Sequence, residues 1–397
     1  MREANVRIFI IMKILIVAPY FYPDADVSSV RINSLCTYLL KQGVEVSVIR
    51  DKEYENAFEY DNSHILASVE TFLVDTKGSR KYTVLKNLYT EKFKQTMDSG
   101  SYDLVLITMG PFSTLPLCEL CKEIYSVPCI LDYRDLWIFD MRRKRDFFKP
   151  RMLYRKFRAF PIEKKNICCA SRVVTVTEEW KGILRKVYKG DTDKFWCIPN
   201  GYDDELLNAP QNADVTCPAG EFVISVFGKF AFYSPEYAIA VFKAIEQCAS
   251  GHTKVVINHI GNSEAAIERI FEKKGQYKIF YHNTGFVEYA QGVQMLKASD
   301  AVLLVDIRNG AMGTKFYDYV FANKPIIYVG KPNTQLAKLV SEFDGGFVCQ
   351  DARDVYGAIN SIIDNRIDCL TQKEIIGEYA RSMQNKKYLN LMYELVK

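Results

Sequence analysis

The most constraining feature of this 397-residue chain is a rhythm that runs through it twice. Short apolar, β-rich runs alternate with stretches of helical periodicity. The first pass reads ILIVA (14–18), VEVSVI (44–49), DLVLIT (103–108), PCILDY (128–133), RVVTVT (172–177) and FWCIP (195–199). Helical spacing fills the gaps over Val30–Leu40, Leu115–Tyr125 and from Glu178. Runs this short and this continuously apolar are expected to be parallel strands buried on both faces. Strand–helix alternation of this kind predicts a doubly wound α/β domain.

Asn200-Gly201 is a turn signal, and NAPQNADVTCPAG (208–220) is polar with Pro and Gly. The rhythm then restarts with FVISVFG (222–228), KVVINHIG (254–261), YKIFYHNTG (277–285), AVLLVDI (301–307), PIIYVG (325–330) and GGFVCQ (345–350). Helices are expected at Glu236–Gln247, Ser263–Lys274, Tyr289–Ala298 and from Thr314. The expected organisation is an N-terminal domain over 1–207, a linker over 208–220, a second domain over 221–370 and a helical segment over 371–397. Ligands of such sheets sit outside the carboxyl ends of the strands, so the loops there are where chemistry is sought.

Composition narrows the class. Hydrophobic residues make up 48% and charged residues 25%, which suits a packed globular chain. Eleven cysteines are scattered, and several (Cys129, Cys197, Cys349) lie in apolar runs, so free thiols in a reducing compartment are expected. Cys118 and Cys121 form a CxxC, but no second pair or nearby His completes a zinc set. Residues 8–18 (IFIIMKILIVA) are too few to span a bilayer, which takes about 20. They read as a buried strand behind a short extension, and either Met1 or Met12 is a possible start.

The net charge of +4 is unevenly distributed. Residues 142–165 hold eleven Lys/Arg against two acids, interleaved with Phe147, Phe148, Met152, Leu153, Tyr154, Phe157 and Phe160. Cations alternating with aromatics suit an anionic lipid surface, and Arg142, Arg143, Lys144, Arg145, Phe147, Phe148, Arg155 and Lys156 are the candidate contacts. No fold signature for nucleic-acid binding accompanies them, so no nucleic-acid partner is expected.

GTKFYDY (313–319) followed by ANKPII (322–327) resembles the donor-site signature of glycosyltransferase family 4. KILIVAPYFYPD with Arg31, LDYRDLW (131–137), SRVVTVTEEW, CIPNGYD and FGKF (227–230) resemble further landmarks of that family, in the same order. The resemblance covers nearly the whole chain. It implies a GT-B architecture: two Rossmann-like doubly wound domains facing across a cleft, with a C-terminal helix returning to the N-terminal domain. It departs where the family's paired carboxylates would begin, since Gly310 stands at the first position and Asp318 replaces Glu at the second. Ser28-Ser29 stand where relatives carry a glycine pair, and Phe232-Tyr233-Ser234 where they carry a basic residue.

The resemblance implies a retaining, metal-independent glycosyltransferase with no cofactor, whose co-substrate is a UDP- or GDP-linked sugar. Gly228, Gly285, Gly313, Thr314, Lys315 and Asp318 are the implied donor-binding residues. Lys229, Lys315 and Asp318 are the implied catalytic set. Cations beside a helix N-terminus suit a diphosphate leaving group, and a carboxylate one turn on suits ribose hydroxyls. Arg31, Asp132, Arg134 and Asp135 are expected on the acceptor side or as a buried pair holding its loop. With the basic segment, the acceptor is expected to be a lipid-linked saccharide in polysaccharide or glycolipid synthesis. The expected location is cytoplasmic, peripheral on the inner face of the plasma membrane. Two alternatives remain: a nucleotide-binding scaffold without turnover, and a nucleotide-sugar 2-epimerase on the same fold.

Overall fold

A computed structural model describes residues 12–24, 27–52, 63–139, 149–189, 192–204, 220–232, 234–250, 254–307, 312–371 and 373–397. The chain divides into two compact units, one of residues 1–199 with 382–397 and one of residues 200–381.

The first unit holds a seven-stranded sheet: β1 (Lys13–Val17), β2 (Glu45–Asp51), β3 (Glu70–Val74), β4 (Leu104–Met109), β5 (Cys129–Tyr133), β6 (Arg172–Thr175) and β7 (Phe195–Cys197). Their order is β3-β2-β1-β4-β5-β6-β7, and every pairing is parallel. Ile14, Ile16, Leu104, Leu106 and Ile130 pack on one face with Leu35 and Leu39 of the helix Val27–Lys41. Tyr388, Leu391 and Met392 of the helix Arg381–Val396 complete that core.

The second unit holds β8 (Phe222–Phe227), β9 (Val255–Ile260), β10 (Tyr281–Gly285), β11 (Ala301–Asp306), β12 (Ile326–Gly330) and β13 (Gly346–Cys349). The order is β10-β9-β8-β11-β12-β13, again all parallel. Leu303 and Val305 belong to one core cluster, and Val302 and Leu304 to the cluster on the other face. That two-sided burial explains why the strands read as continuous apolar runs rather than as alternation.

The helices Tyr82–Ser99 and Ala352–Asp364 were absent from the sequence reading, and three further details differ from it. β3 was absent from it: as an edge strand it is only partly buried, so ETFLV shows neither a continuous run nor a clean alternation. YKIF (277–280) belongs to a 3₁₀ segment, Gly275–Phe280, which buries Tyr277 and Phe280 at an i, i+3 spacing. The unit boundaries fall at 199/200 and 381/382 instead of 207 and 370. Residues 200–204 are held by the second unit: the Tyr202 N–H donates to the Tyr379 carbonyl at 2.9 Å and the Arg381 N–H to the Tyr202 carbonyl at 2.8 Å. Of the expected linker, residues 208–219 lie outside the described residues.

Candidate functional site

The second sheet reverses its order between β8 and β11, and the crevice at such a switch point is where open α/β sheets bind ligands. The loop leaving β8 carries Gly228 and Lys229. The helix after β11, Lys315–Ala322, carries Lys315 and Asp318. The structure therefore brings the expected donor residues together in one unit.

The β8 loop is pinned peptide by peptide. The Gly228 N–H donates to the Ile260 carbonyl at 2.7 Å, the Lys315 ammonium to the Lys229 carbonyl, and the Phe230 N–H to the Glu264 carboxylate. Gly228 has φ +67°, a left-handed conformation that suits glycine. Gly261, at the end of β9, comes so close that a Cβ on it would lie 3.2 Å from the Gly228 Cα. Gly285 lies alongside, accepting from the Gly261 N–H at 3.0 Å. Lys229 is exposed, with its ammonium 4.0 Å from the ring centroid of Phe232. Cation and ring thus occupy the stretch where the family resemblance leads one to expect a second basic side chain.

The helix Lys315–Ala322 stops at Asn323, whose φ of +55° closes it just before Lys324-Pro325. Phe316, Tyr317, Tyr319 and Val320 are fully buried. The Tyr319 hydroxyl donates to the Leu303 carbonyl at 3.0 Å and accepts from the Phe227 N–H at 2.9 Å, fixing the helix to both β11 and β8. This seating puts the helix start, Gly313-Thr314-Lys315, beside the β8 loop, with the Lys315 side chain against Gly228. Asp318 is only 6% exposed. Burial pushes its carboxyl up to about 6, against the opposing pull of Tyr289, Arg381 and Lys315 and with the help of Asp203. The Tyr289 hydroxyl donates to Asp318 Oδ1, and the Tyr289 ring stacks on Phe227 at 6.0 Å. Gly310 lies outside the described residues.

In the first unit, Arg31 and Asp132 form the buried pair rather than an exposed acceptor surface. The Arg31 guanidinium meets Asp132 at 3.3 Å. It also donates to the carbonyls of Ile198 and Pro199 and to the Tyr388 hydroxyl, each at 2.7 Å. The Tyr388 hydroxyl in turn donates to Asp132 Oδ1 at 2.6 Å. These contacts clamp the end of β5, the exit of the chain at 198–199 and the returning C-terminal helix. Of the other two expected acceptor residues, Arg134 is half-buried and Asp135 exposed.

Of the basic segment, Arg142, Arg143, Lys144, Arg145, Phe147 and Phe148 lie outside the described residues, whereas Arg155 and Lys156 fall on the helix Pro150–Cys169. One face of this helix is docked through Ala159, Glu163, Asn166 and Ile167. The other shows Leu153, Phe157 and Phe160 at i, i+4, i+7, with Phe157 80% exposed and Tyr154 beside them. Arg155, Arg158, Lys164 and Lys165 are exposed around that strip. Glu163, on the docked face, accepts from the Tyr188 hydroxyl at 2.5 Å. Burial raises its carboxyl to about 7, despite hydrogen bonding to Tyr188 and Tyr133.

Sequence reasoning missed Gly261, His259, Glu264 and Tyr289. His259 left one signal, a polar residue at the inward end of the apolar run VVINHI. Among the described residues, no group of three or more His, Cys, Asp or Glu is placed to hold a metal ion. No described helix is long and apolar enough to cross a membrane.

Comparisons with known proteins agree with this architecture. The family model described as Glycosyltransferase Family 4 matches residues 28–206. Among solved structures, sucrose-phosphate synthase from Thermosynechococcus elongatus superposes with a TM-score of 0.70 at 15% identity, over 97% of this chain and 99% of that one. HepE from Anabaena in complex with UDP gives 0.66 at 15% identity, over 96% and 100%. UDP-GlcNAc 2-epimerase from Methanocaldococcus jannaschii gives 0.62 at 12% identity, over 96% and 100%. At these identities the likeness is one of fold, the GT-B fold. A search of curated proteins finds no match.

Proposed function

We propose that this chain, which carries a glycosyltransferase family 4 domain in a GT-B fold, moves a sugar with retention of configuration from a nucleotide-sugar donor to a lipid-linked saccharide. The observation that carries the donor half is the arrangement at the switch point. Lys229 and Lys315, a glycine-lined loop and a helix N-terminus offer positive charge and N–H donors where a diphosphate would leave. Asp318, one turn along the same helix, is the group for ribose hydroxyls. HepE, of the same fold, binds UDP and UDP-glucose, which favours a uridine donor here. In this reading the protein supplies positioning and leaving-group stabilisation, with no metal and no cofactor.

The acceptor half rests on the helix Pro150–Cys169. Its exposed strip of Leu153, Phe157 and Phe160 and the surrounding cations suit the headgroup layer of an anionic membrane. Each cation near that surface contributes about 1 kcal/mol. In this reading the protein works at the cytoplasmic face of the plasma membrane, in polysaccharide or glycolipid synthesis. The shared fold of UDP-GlcNAc 2-epimerase keeps a second reading in view.

The test is a thermal-shift screen against UDP- and GDP-sugars, followed by product analysis. A nucleotide sugar should raise the melting temperature of the wild type, and Lys315→Ala should abolish the shift. A shift that survives in Lys315→Ala refutes the donor site. Epimerised nucleotide sugar without acceptor would establish the second reading, and binding without turnover a scaffold.

A further inference from the structure

A fully buried histidine stands directly behind the β8 loop. His259 is 0% exposed at the carboxyl end of β9. It occupies the inward position that Val255 and Ile257 fill earlier in the strand as part of the same core. Burying an imidazole there is costly unless both ring nitrogens are partnered. Both are: Nε2 lies 2.5 Å from the Gly228 carbonyl and Nδ1 2.5 Å from the Tyr281 hydroxyl.

These partners fix the tautomer. A carbonyl only accepts, so Nε2 carries the proton. Nδ1 is then the acceptor and the Tyr281 hydroxyl the donor. Burial raises the Tyr281 phenol, as do Glu264 and Glu268, so it keeps its proton. Burial also lowers the His259 imidazole and Lys315 lowers it further, against the Gly228 carbonyl and Glu264. The other groups facing the ring are the Glu264 carboxylate at 4.0 Å and the Phe230 ring, edge-on at 6.2 Å. The ring is therefore a neutral, directional donor held from behind by a tyrosine.

The consequence lies in the Gly228–Lys229 peptide. In a trans peptide the carbonyl and the following N–H point in opposite directions. A Gly228 carbonyl turned inward to His259 sends the Lys229 N–H away from His259. We infer that His259 is a positioning residue for nucleotide-sugar binding, locking the Gly228–Lys229 peptide so that its N–H and the Lys229 side chain are aimed at the donor diphosphate. The inference rests on the donor-site reading above. His259 touches no ligand; it acts through the loop.

The experiment measures nucleotide-sugar affinity by calorimetry for wild type, His259→Gln and His259→Leu, with the melting temperature of each. A glutamine amide offers an NH₂ donor group and a carbonyl acceptor, so His259→Gln should bind within about threefold of wild type. His259→Leu keeps the volume but loses the donor, and should bind roughly tenfold more weakly, the loss of one oriented hydrogen bond. If His259→Leu does not fold, Tyr281→Phe removes only the hydroxyl that holds Nδ1 from behind and should weaken binding about threefold. In ¹⁵N spectra of the wild type, the resonance lost in His259→Gln should show a protonated Nε2 and a bare Nδ1. Unchanged affinity in His259→Leu or Tyr281→Phe, with or without a lower melting temperature, overturns the inference, as does the opposite tautomer. A wild type that binds neither UDP- nor GDP-sugars overturns the donor-site reading itself, and the positioning role with it.

Discussion

In the donor site proposed above, the buried carboxyl of Asp318 would make binding depend on pH. Burial holds it near pH 6 in the free protein, so its folded value is raised. Only the carboxylate accepts hydrogen bonds from two ribose hydroxyls; the acid form gives up part of that capacity. Tyr289 already donates to Oδ1, which leaves Oδ2 for the ligand. If the ionised form alone binds well, affinity follows its population. That population is about nine-tenths at pH 7 and about one-tenth at pH 5 for a group titrating near 6. The nucleotide sugar should therefore bind about tenfold more weakly at pH 5 than at pH 7, or about 1.4 kcal/mol. Calorimetric titration between pH 5 and 8 reads this directly, because the diester diphosphate of a nucleotide sugar does not titrate in that window. Asp318→Asn cannot ionise, so it should bind weakly at every pH and show no such limb. A wild-type profile that is flat, or a limb that persists in Asp318→Asn, refutes the assignment of Asp318 to the donor.

Two further outcomes are expected. Glu163 titrates near 7 instead of near 4.5, so the folded state binds its proton more tightly than the unfolded chain does. Its stabilising contribution is full below about pH 4.5 and is lost as the pH rises through 7. Glu163→Gln should exceed wild type by about 3 kcal/mol at pH 8 and converge with it near pH 4.5, in denaturant unfolding followed across that range. Phe157→Glu, at an 80% exposed position, should leave the melting temperature unchanged. It should reduce co-sedimentation with vesicles containing phosphatidylglycerol more than tenfold, the effect of losing about 2 kcal/mol of apolar insertion; equal co-sedimentation would remove the membrane surface from the proposal.

The parts of the fold that were legible in sequence share one physical cause. β1, β4, β5, β8, β11 and β12 are buried on both faces, so their runs are continuously apolar and stand out without any knowledge of the pairing. β3 sits at an edge and is half-exposed, and its five residues carry no such mark. Lys315 and Asp318 could be found because a helix start after a strand is a local event. Arg31 and Asp132 are a different case. Their residue types suit an acceptor site or an ion pair, and the partner that decides, Tyr388, lies 256 residues beyond Asp132. His259 was a polar residue in an apolar run, and its meaning depends on a loop 31 residues earlier. Local patterns identified the elements and the site's location. The hydrogen-bond partners that assign roles are long-range, and no local pattern encodes them.

The return of the last helix to the first unit has a consequence for synthesis on the ribosome. Residues 200–381 emerge as one uninterrupted stretch, so all of the second unit has been made before the last helix of the first. The first unit emerges earlier but lacks Tyr388, Leu391 and Met392, which are buried in its core, and the hydroxyl that completes the Arg31–Asp132 clamp. Through most of translation its sheet exposes an apolar groove where the helix Arg381–Val396 will lie. The core of the earlier-made unit is therefore completed only by residues 382–397, after the whole of the second unit has been made.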